Sequence, residues 1–327
     1  MIVVTGGAGF IGSNVVRSLN ERGRDDLVVV DDLSDSSKIR NLGDCRVADY
    51  LDESEFLQTV REGGFPKPEV ILHQGACSDT MERDGRYMME VNYAYSKVLL
   101  HHCVEREIPF IYASSASVYG AGATFVEAAA NESALNVYAF SKLLFDRYAR
   151  QFMTKASSQI VGLRYFNVYG PREGHKGRMA SVACHFNEQY RRDGQVRLFV
   201  GSDGYGDGAQ ERDFVWVGDV AAVNLHFMDH PDVSGVFNVG TGRSRSFNDV
   251  ALAVINARDA SRLTLEQALA AGKIIYIPFP EGLREKYQSY TCADIAALRD
   301  AGYTASFLDV EEGVLEYLEQ LTADDGV

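Results

Sequence analysis

The chain has 327 residues, 46% of them hydrophobic and 24% charged, a balance that excludes a disordered polypeptide and leaves room for about two domains. Asp and Glu number 46 against 32 Lys and Arg, giving a net charge of −14. Repulsion from phosphate backbones and anionic lipid argues against nucleic-acid and membrane-surface partners.

In chain order, residues 2–4, 27–30, 70–73, 110–113 and 160–165 are short runs of β-branched and aromatic side chains, as in strands buried on both faces. Helical periodicity covers 14–21, 92–105 and 137–152; in the last, Tyr138, Leu144, Phe145, Tyr148 and Phe152 recur at three- and four-residue steps. The alternation predicts an α/β fold with a doubly wound parallel sheet. After residue 170 the chain turns richer in Gly, Arg and charge, and 201–210 holds four glycines. A strand at 214–217, a helix at 219–228 and a strand at 235–239 follow, then a tail with a strand-like 274–280 and a helix near 308–318. The expected division is a dinucleotide-binding domain over 1–170 with a return segment at about 212–240, and a smaller α+β substrate domain from 171–211 and 241–327.

Cys45, Cys77, Cys103, Cys184 and Cys292 include no C-x-x-C pair, so neither a disulfide framework nor a thiolate zinc site is expected, and no metal is assigned. No apolar run nears the ~18 residues of a membrane span. Met1 to Val4 lead into a glycine loop with no basic segment before them, so the expected location is the cytoplasm.

Thr5-Gly6-Gly7-Ala8-Gly9-Phe10-Ile11-Gly12 follows the first strand and opens a helix, matching G-x-G-x-x-G from Gly7 and G-x-x-G-x-x-G from Gly6. Gly6, Gly9 and Gly12 lack the side chains that would keep backbone amides from a pyrophosphate. Asp31, 19 residues after Gly12, is the expected acceptor of ribose hydroxyls, with Asp32 beside it, and favours NAD. Lys38 offers a cation to the 2′-phosphate of NADP instead, so both cofactors stay open at this point. Asp49 is a candidate acceptor from the adenine amino group.

Tyr138 and Lys142 form a Tyr-x-x-x-Lys pair, which places both on one helix face, where the ammonium is expected to lower the phenol's pKa and let it accept a proton. Tyr93 and Lys97 share that spacing. Only Tyr138 is preceded, 23 residues earlier, by a serine at a strand end: Ser115, which faces the same side as Ser117 and the opposite side to Ser114. The expected set is therefore Ser115, Tyr138 and Lys142, with the Tyr93 pair left to packing.

The glycine loop, the Tyr-x-x-x-Lys pair and Arg212-Asp213-Phe214-Val215 resemble the extended short-chain dehydrogenase/reductases, with a Rossmann-type fold. Within that superfamily the chain resembles the ADP-heptose 6-epimerases over nearly its whole length. That narrower likeness rests on His73-Gln74-Gly75-Ala76-Cys77-Ser78, on Arg106-Glu107-Ile108-Pro109-Phe110, and above all on the run from Arg164-Tyr165-Phe166-Asn167-Val168-Tyr169-Gly170 to Pro171-Arg172-Glu173-Gly174-His175-Lys176-Gly177. The resemblance implies that bound NADP removes hydride from C6 of the heptose, the carbonyl turns about C5–C6, and hydride returns to its other face, for lipopolysaccharide core synthesis. It places the two acid/base groups on Tyr138 and Lys176. It also implies cofactor contacts from Phe10, Ile11, Gln74, Gly75, Ala76, Cys77, Ser78, Asn92, Lys142, Val168 and Lys176. Substrate contacts would come from Ser115, Asn167, Arg178, His185, Phe199, Val200, Gly201, Ser202, Arg212 and Tyr287, with Arg212 on the ADP pyrophosphate. Relatives of this kind imply a ring-like homo-oligomer, a pentamer. Two departures stand out: the 201–210 loop is longer than usual, and Glu53 stands where a lysine is common, leaving Lys38 to argue for NADP. The competing readings are another nucleotide-sugar epimerase or reductase of the superfamily, and a non-catalytic NADP-sensing scaffold.

Overall fold

The computed structural model describes residues 1–282, 284 and 288–324. In chain order the elements are β1 (Ile2–Thr5), α1 (Phe10–Glu21), β2 (Leu27–Asp31), β3 (Asp49–Asp52), α2 (Glu53–Arg61), β4 (Val70–His73), α3 (Gly85–Met89), α4 (Tyr95–Arg106), β5 (Phe110–Ser115), α5 (Val137–Met153) and β6 (Ile160–Tyr165). There follow β7 (Asn167–Tyr169), α6 (Val182–Asp193), β8 (Val196–Phe199), β9 (Glu211–Arg212), β10 (Phe214–Trp216), α7 (Val217–Asp229), β11 (Gly235–Val239), β12 (Arg245–Ser246) and α8 (Phe247–Asp259). The chain ends with α9 (Leu265–Ala270), β13 (Ile274–Ile277), α10 (Ala296–Asp300) and α11 (Val310–Asp324).

The first compact unit comprises Met1–Tyr165, Val220–Val239 and Ile295–Thr304. Its sheet runs β11-β6-β5-β4-β1-β2-β3, every pair parallel. Strands β1, β2, β4 and β6 are buried along their whole length, which is why they read as unbroken apolar runs. Val3, Val28, Ile71 and Phe110 of the sheet pack with Phe56 of α2, Leu99 of α4 and Phe145 of α5 in one core. Each such side chain contributes roughly 1.5–3 kcal/mol by leaving water. The strand order reverses between β1 and β4, and in a sheet of this Rossmann type ligands bind beyond the strand ends at that reversal. The glycine loop leaves β1 there, and the Gln74 to Ser78 segment leaves β4 there.

The second unit comprises Phe166–Asp219, Gly240–Asp294 and Ala305–Val327. Within it β7 pairs with β10 and β8 with β13, both parallel, while β9 and β12 are antiparallel. Helix α8 packs against both α6 and α11.

Three features differ from the sequence reading. The first unit ends at 165 rather than 170, regains the chain at 220 rather than 212, and includes a further segment at 295–304. The pattern over 92–105 is interrupted: α3 leads into a π-turn, Glu90–Ala94, before α4 begins. Edge strand β3 and helix α2 were not anticipated; Asp52 caps α2, its carboxylate accepting from Ser54 N.

Candidate active site

In the first unit the glycine loop is built by backbone contact. Gly6 has φ +64°, and a Cβ there would lie 2.5 Å from Gly75 N. A Cβ on Gly12 would lie 2.1 Å from Gly6 O. Among the described residues no side chain caps α1, and its first turn holds no acid. That bare, positive helix end fits an anionic pyrophosphate. Asp31 is buried: one carboxylate oxygen accepts from Ala8 N (2.8 Å) and Gly9 N (3.2 Å), the other from Lys38 Nζ (3.0 Å). Lys38 Nζ also donates to Asp32 O (2.8 Å). Asp31 thus shapes the loop as well as standing at the ribose end. Asp49 is exposed at the start of β3, three residues short of the Asp31–Asp52 pairing, and accepts from its neighbour Tyr50 N (2.8 Å).

The loop after β4 is tied to this apparatus. Gly75 N donates to Thr5 Oγ1 (3.3 Å), and Gln74 bonds both Asn224 (2.9 Å) and the Tyr165 hydroxyl (2.8 Å). Asn92, in the π-turn, grips Cys77 through its backbone N–H (2.8 Å) and C=O (3.0 Å), and donates to Ser141 Oγ (3.1 Å). Ser141 in turn donates to the Tyr138 carbonyl (2.7 Å). π-turns recur at functional sites, and here one locks the β4 loop to the Tyr138 helix. Ala76 is half-buried, Ser78 is exposed, and burial pushes the half-buried Cys77 thiol upward.

Ser115 ends β5, and its hydroxyl accepts from Ser117 N (3.2 Å) and Ser117 Oγ (2.9 Å). Tyr138 lies in the first turn of α5, which Asn136 caps. Lys142 is 5% exposed, and its ammonium donates to Ala113 O (2.9 Å). Burial lowers Lys142 from 10.5 to about 8, with Asp146 and Cys77 opposing the fall. The expectation that the ammonium lowers the phenol is corrected here. Burial raises Tyr138 above its ordinary value, and the group that pulls it back is the neighbouring Ser115 hydroxyl. Lys142 is turned toward the β5 carbonyl. In the other Tyr-x-x-x-Lys pair, Lys97 Nζ sits over the Tyr93 ring (5.2 Å) and the Tyr148 ring (4.4 Å), a packing arrangement.

Two buried groups escaped the sequence reading. His73 bridges Thr5 Oγ1 (2.6 Å) and Ser96 Oγ (2.8 Å), and burial with the Lys142 charge holds it down at about 3, so it is neutral. Asp146, one helical turn after Lys142, accepts from Tyr112 (3.1 Å), Ser114 (2.9 Å) and Arg164 Nε (2.9 Å). Its i+4 spacing from Lys142 was a visible signal.

In the second unit Lys176 is half-buried in a short 3-10 turn, Gly174–Met179, and burial lowers its amine while Glu173 and Cys184 pull it up. Asn167 is exposed on β7 and accepts from Thr291 Oγ1 (3.4 Å); Val168 follows it, half-buried. Arg178 is exposed, and His185 on α6 lies 4.0 Å from Glu188. Phe199 stacks on Phe279 at 4.6 Å between ring centres, and Val200 N donates to Ile277 O (3.0 Å). Gly201 N donates to Asp207 (2.8 Å), and buried Ser202 bonds Ser289 (3.2 Å) and Gln210 (3.2 Å). Buried Arg212 donates to Glu211 O (2.9 Å), its guanidinium 5.6 Å from the Phe247 ring centre. Tyr287 lies outside the described residues. Among the described residues no group of three His, Cys, Asp or Glu side chains is placed to hold a metal ion. None of the described helices is long and apolar enough to cross a membrane.

The model of the NAD dependent epimerase/dehydratase family matches residues 2–240. The ADP-L-glycero-D-manno-heptose-6-epimerase of Thiobacillus denitrificans is 58% identical over 324 residues, 98% of each chain. That of Pseudomonas paraeruginosa is 57% identical over the same span, again 98% of each. Among solved structures, the Helicobacter pylori ADP-L-glycero-D-manno-heptose-6-epimerase superposes with a TM-score of 0.80 at 31% identity, covering 98% of this chain and 96% of that one.

Proposed function

Because the chain belongs to the NAD dependent epimerase/dehydratase family, and within it to the ADP-L-glycero-D-manno-heptose-6-epimerases, we propose that it converts ADP-D-glycero-D-manno-heptose to the L-glycero epimer by inverting C6. The observation that carries this reading is Tyr138 in the first turn of the helix that also holds the buried Lys142, with Ser115 at the end of β5. When bound, the nicotinamide supplies a reversible hydride acceptor for C6. The chain itself manages protons. Tyr138, as the phenolate, takes the proton of the 6-hydroxyl and becomes the phenol; the neighbouring Ser115 hydroxyl stabilises the phenolate beforehand. Lys176, with its amine lowered by burial, serves the carbonyl oxygen once the sugar has turned about C5–C6. The proton it gives would leave that oxygen as the hydroxyl of the inverted alcohol.

NADP is our reading of the dinucleotide, carried by the Lys38 ammonium beside Asp31 and Asp32. The Gly6 to Gly12 loop and the Gln74 to Ser78 segment would hold it. Arg212 and the Phe199 to Ser202 segment are assigned to the ADP-heptose. A cytoplasmic homo-oligomer, a pentamer, acting in lipopolysaccharide core synthesis completes the proposal. Tyr138→Phe and Lys176→Met are each expected to lower epimerisation by more than ~100-fold. Near-normal turnover in the lysine variant rejects its catalytic role. Nucleotide released from the denatured protein is expected to have the mass of NADP; NAD alone contradicts the Lys38 assignment.

A further inference from the structure

Lys176 stands on a segment whose backbone is hard to hold. Gly170 (φ 150°), Arg172 (φ 71°) and Gly177 (φ 50°) all take positive φ, which disfavours a side-chain-bearing residue such as Arg172. Gly170 is also boxed in: a Cβ there would lie 2.4 Å from Val217 Cγ1.

The group that fastens this segment is Glu173, 0% exposed. One carboxylate oxygen accepts from Gly170 N (3.2 Å) and Ser181 Oγ (2.7 Å), and the other from Ser181 N (2.5 Å). Ser181 is the N-cap of α6, its hydroxyl accepting from Cys184 N (3.2 Å). Glu173 O accepts from Lys176 N (2.9 Å). A side chain aimed at three donors is suited to a carboxylate rather than a carboxylic acid. Burial pushes Glu173 upward, and the Ser181 and Gly170 bonds and the Lys176 charge oppose that. The groups facing Lys176 are Glu173 from its own segment and Cys184 from α6. Tyr317 of α11 is the further group that interacts electrostatically with both of these, and Cys184 Sγ lies 3.9 Å from Glu188.

We propose that Glu173 is the positioning residue for Lys176: its buried carboxylate fastens the 170–180 segment to the start of α6 and sets a fixed negative charge behind the lysine ammonium. The inference rests on the assignment of Lys176 as an acid/base group. Without the carboxylate the amine gives up its proton more easily. The limb of the pH profile that needs protonated Lys176 therefore moves toward acid.

The test uses full-length Glu173→Gln, with Glu173→Asp as the conservative variant. In Glu173→Gln the alkaline limb of kcat is expected to fall about one pH unit earlier, so turnover drops about tenfold on that limb, with KM within about threefold. Glu173→Asp should recover part of the shift. Loss of turnover by the same factor at every pH, with the limb unmoved, overturns the charge role. A second readout does not depend on catalysis. Lysine amines are dimethylated with ¹³C, and the Lys176 resonance, identified by its absence in Lys176→Met, is titrated by NMR. A lower midpoint in Glu173→Gln supports the inference, and an unchanged midpoint overturns it. If Glu173→Gln does not fold, Glu173→Asp is titrated in its place, with a smaller fall expected and no fall overturning the claim. Full turnover in Lys176→Met defeats the assignment of Lys176, while the NMR titration still decides what Glu173 does to the amine.

Discussion

Lys142 carries a charge into a buried site, and removing it should stabilise the protein while stopping the enzyme. The amine falls from 10.5 to about 8, chiefly through burial. At ~1.4 kcal/mol per tenfold change in proton affinity, this means the folded chain holds the ammonium at a cost of about 3 kcal/mol. Lys142→Met removes that cost and leaves Ala113 O without its donor, worth about 1 kcal/mol. A net gain of about 2 kcal/mol should raise the melting temperature of a 327-residue chain by roughly 3 °C at pH 7, with turnover lost. The sign with pH follows from the direction of the shift. Below about pH 8 the lysine is charged in both folded and unfolded chains and the cost is present in full. Between about 8 and 10.5 the folded chain sheds the proton while the unfolded chain keeps it. The parent therefore gains stability as pH rises, and the advantage of Lys142→Met should vanish near pH ~10 and reverse above it, once the remaining charge cost is less than the lost hydrogen bond. Thermal melts of both proteins, followed by circular dichroism from pH 6.5 to 10.5, measure this. A variant that melts lower than the parent at pH 7, or one whose advantage does not change with pH, refutes the reasoning.

Two further outcomes follow from other parts of the structure. Asp213 is wholly buried, and its carboxylate accepts from Thr241 N (2.7 Å), Thr241 Oγ1 (2.8 Å), Gly242 N (2.9 Å) and Ala293 N (2.9 Å). Asp213→Asn turns an N–H₂ toward two of those donors and should cost about 4 kcal/mol, read as a lower urea midpoint; a midpoint equal to the parent's contradicts this. Gly12→Ala would press a methyl group against the Gly6 carbonyl. It should weaken dinucleotide binding at least tenfold by fluorescence titration and lower stability by about 1–3 kcal/mol; unaltered affinity would show that the loop has room the geometry denies.

The sheet strands were legible because buried parallel strands must be apolar on both faces, so Ile2–Thr5, Leu27–Asp31 and Ile160–Tyr165 announce themselves. Strand β3 was not, since an edge strand beginning and ending in aspartate, Asp49–Asp52, has neither an apolar run nor alternation. The π-turn at Glu90–Ala94 depends on Asn92 gripping the Cys77 backbone, 15 residues away in sequence, which no helical period records. Membership of 295–304 in the first unit is likewise a long-range fact. At the candidate site, the spacing of Tyr138 and Lys142 revealed that phenol and amine share a face. It did not reveal that the amine would turn to Ala113 O, leaving burial to set the phenol. Glu173 was visible only as a letter in a run. Its burial, and the three donors aimed at it, come from how that run folds back on Ser181.

The central claim is tested most directly by adding the purified protein, with its nicotinamide cofactor, to ADP-D-glycero-D-manno-heptose in deuterated water and following C6 by proton NMR. Inversion by hydride removal and return predicts that the L-glycero epimer appears with its C6 proton retained. No second epimer, or deuterium at C6, contradicts the account.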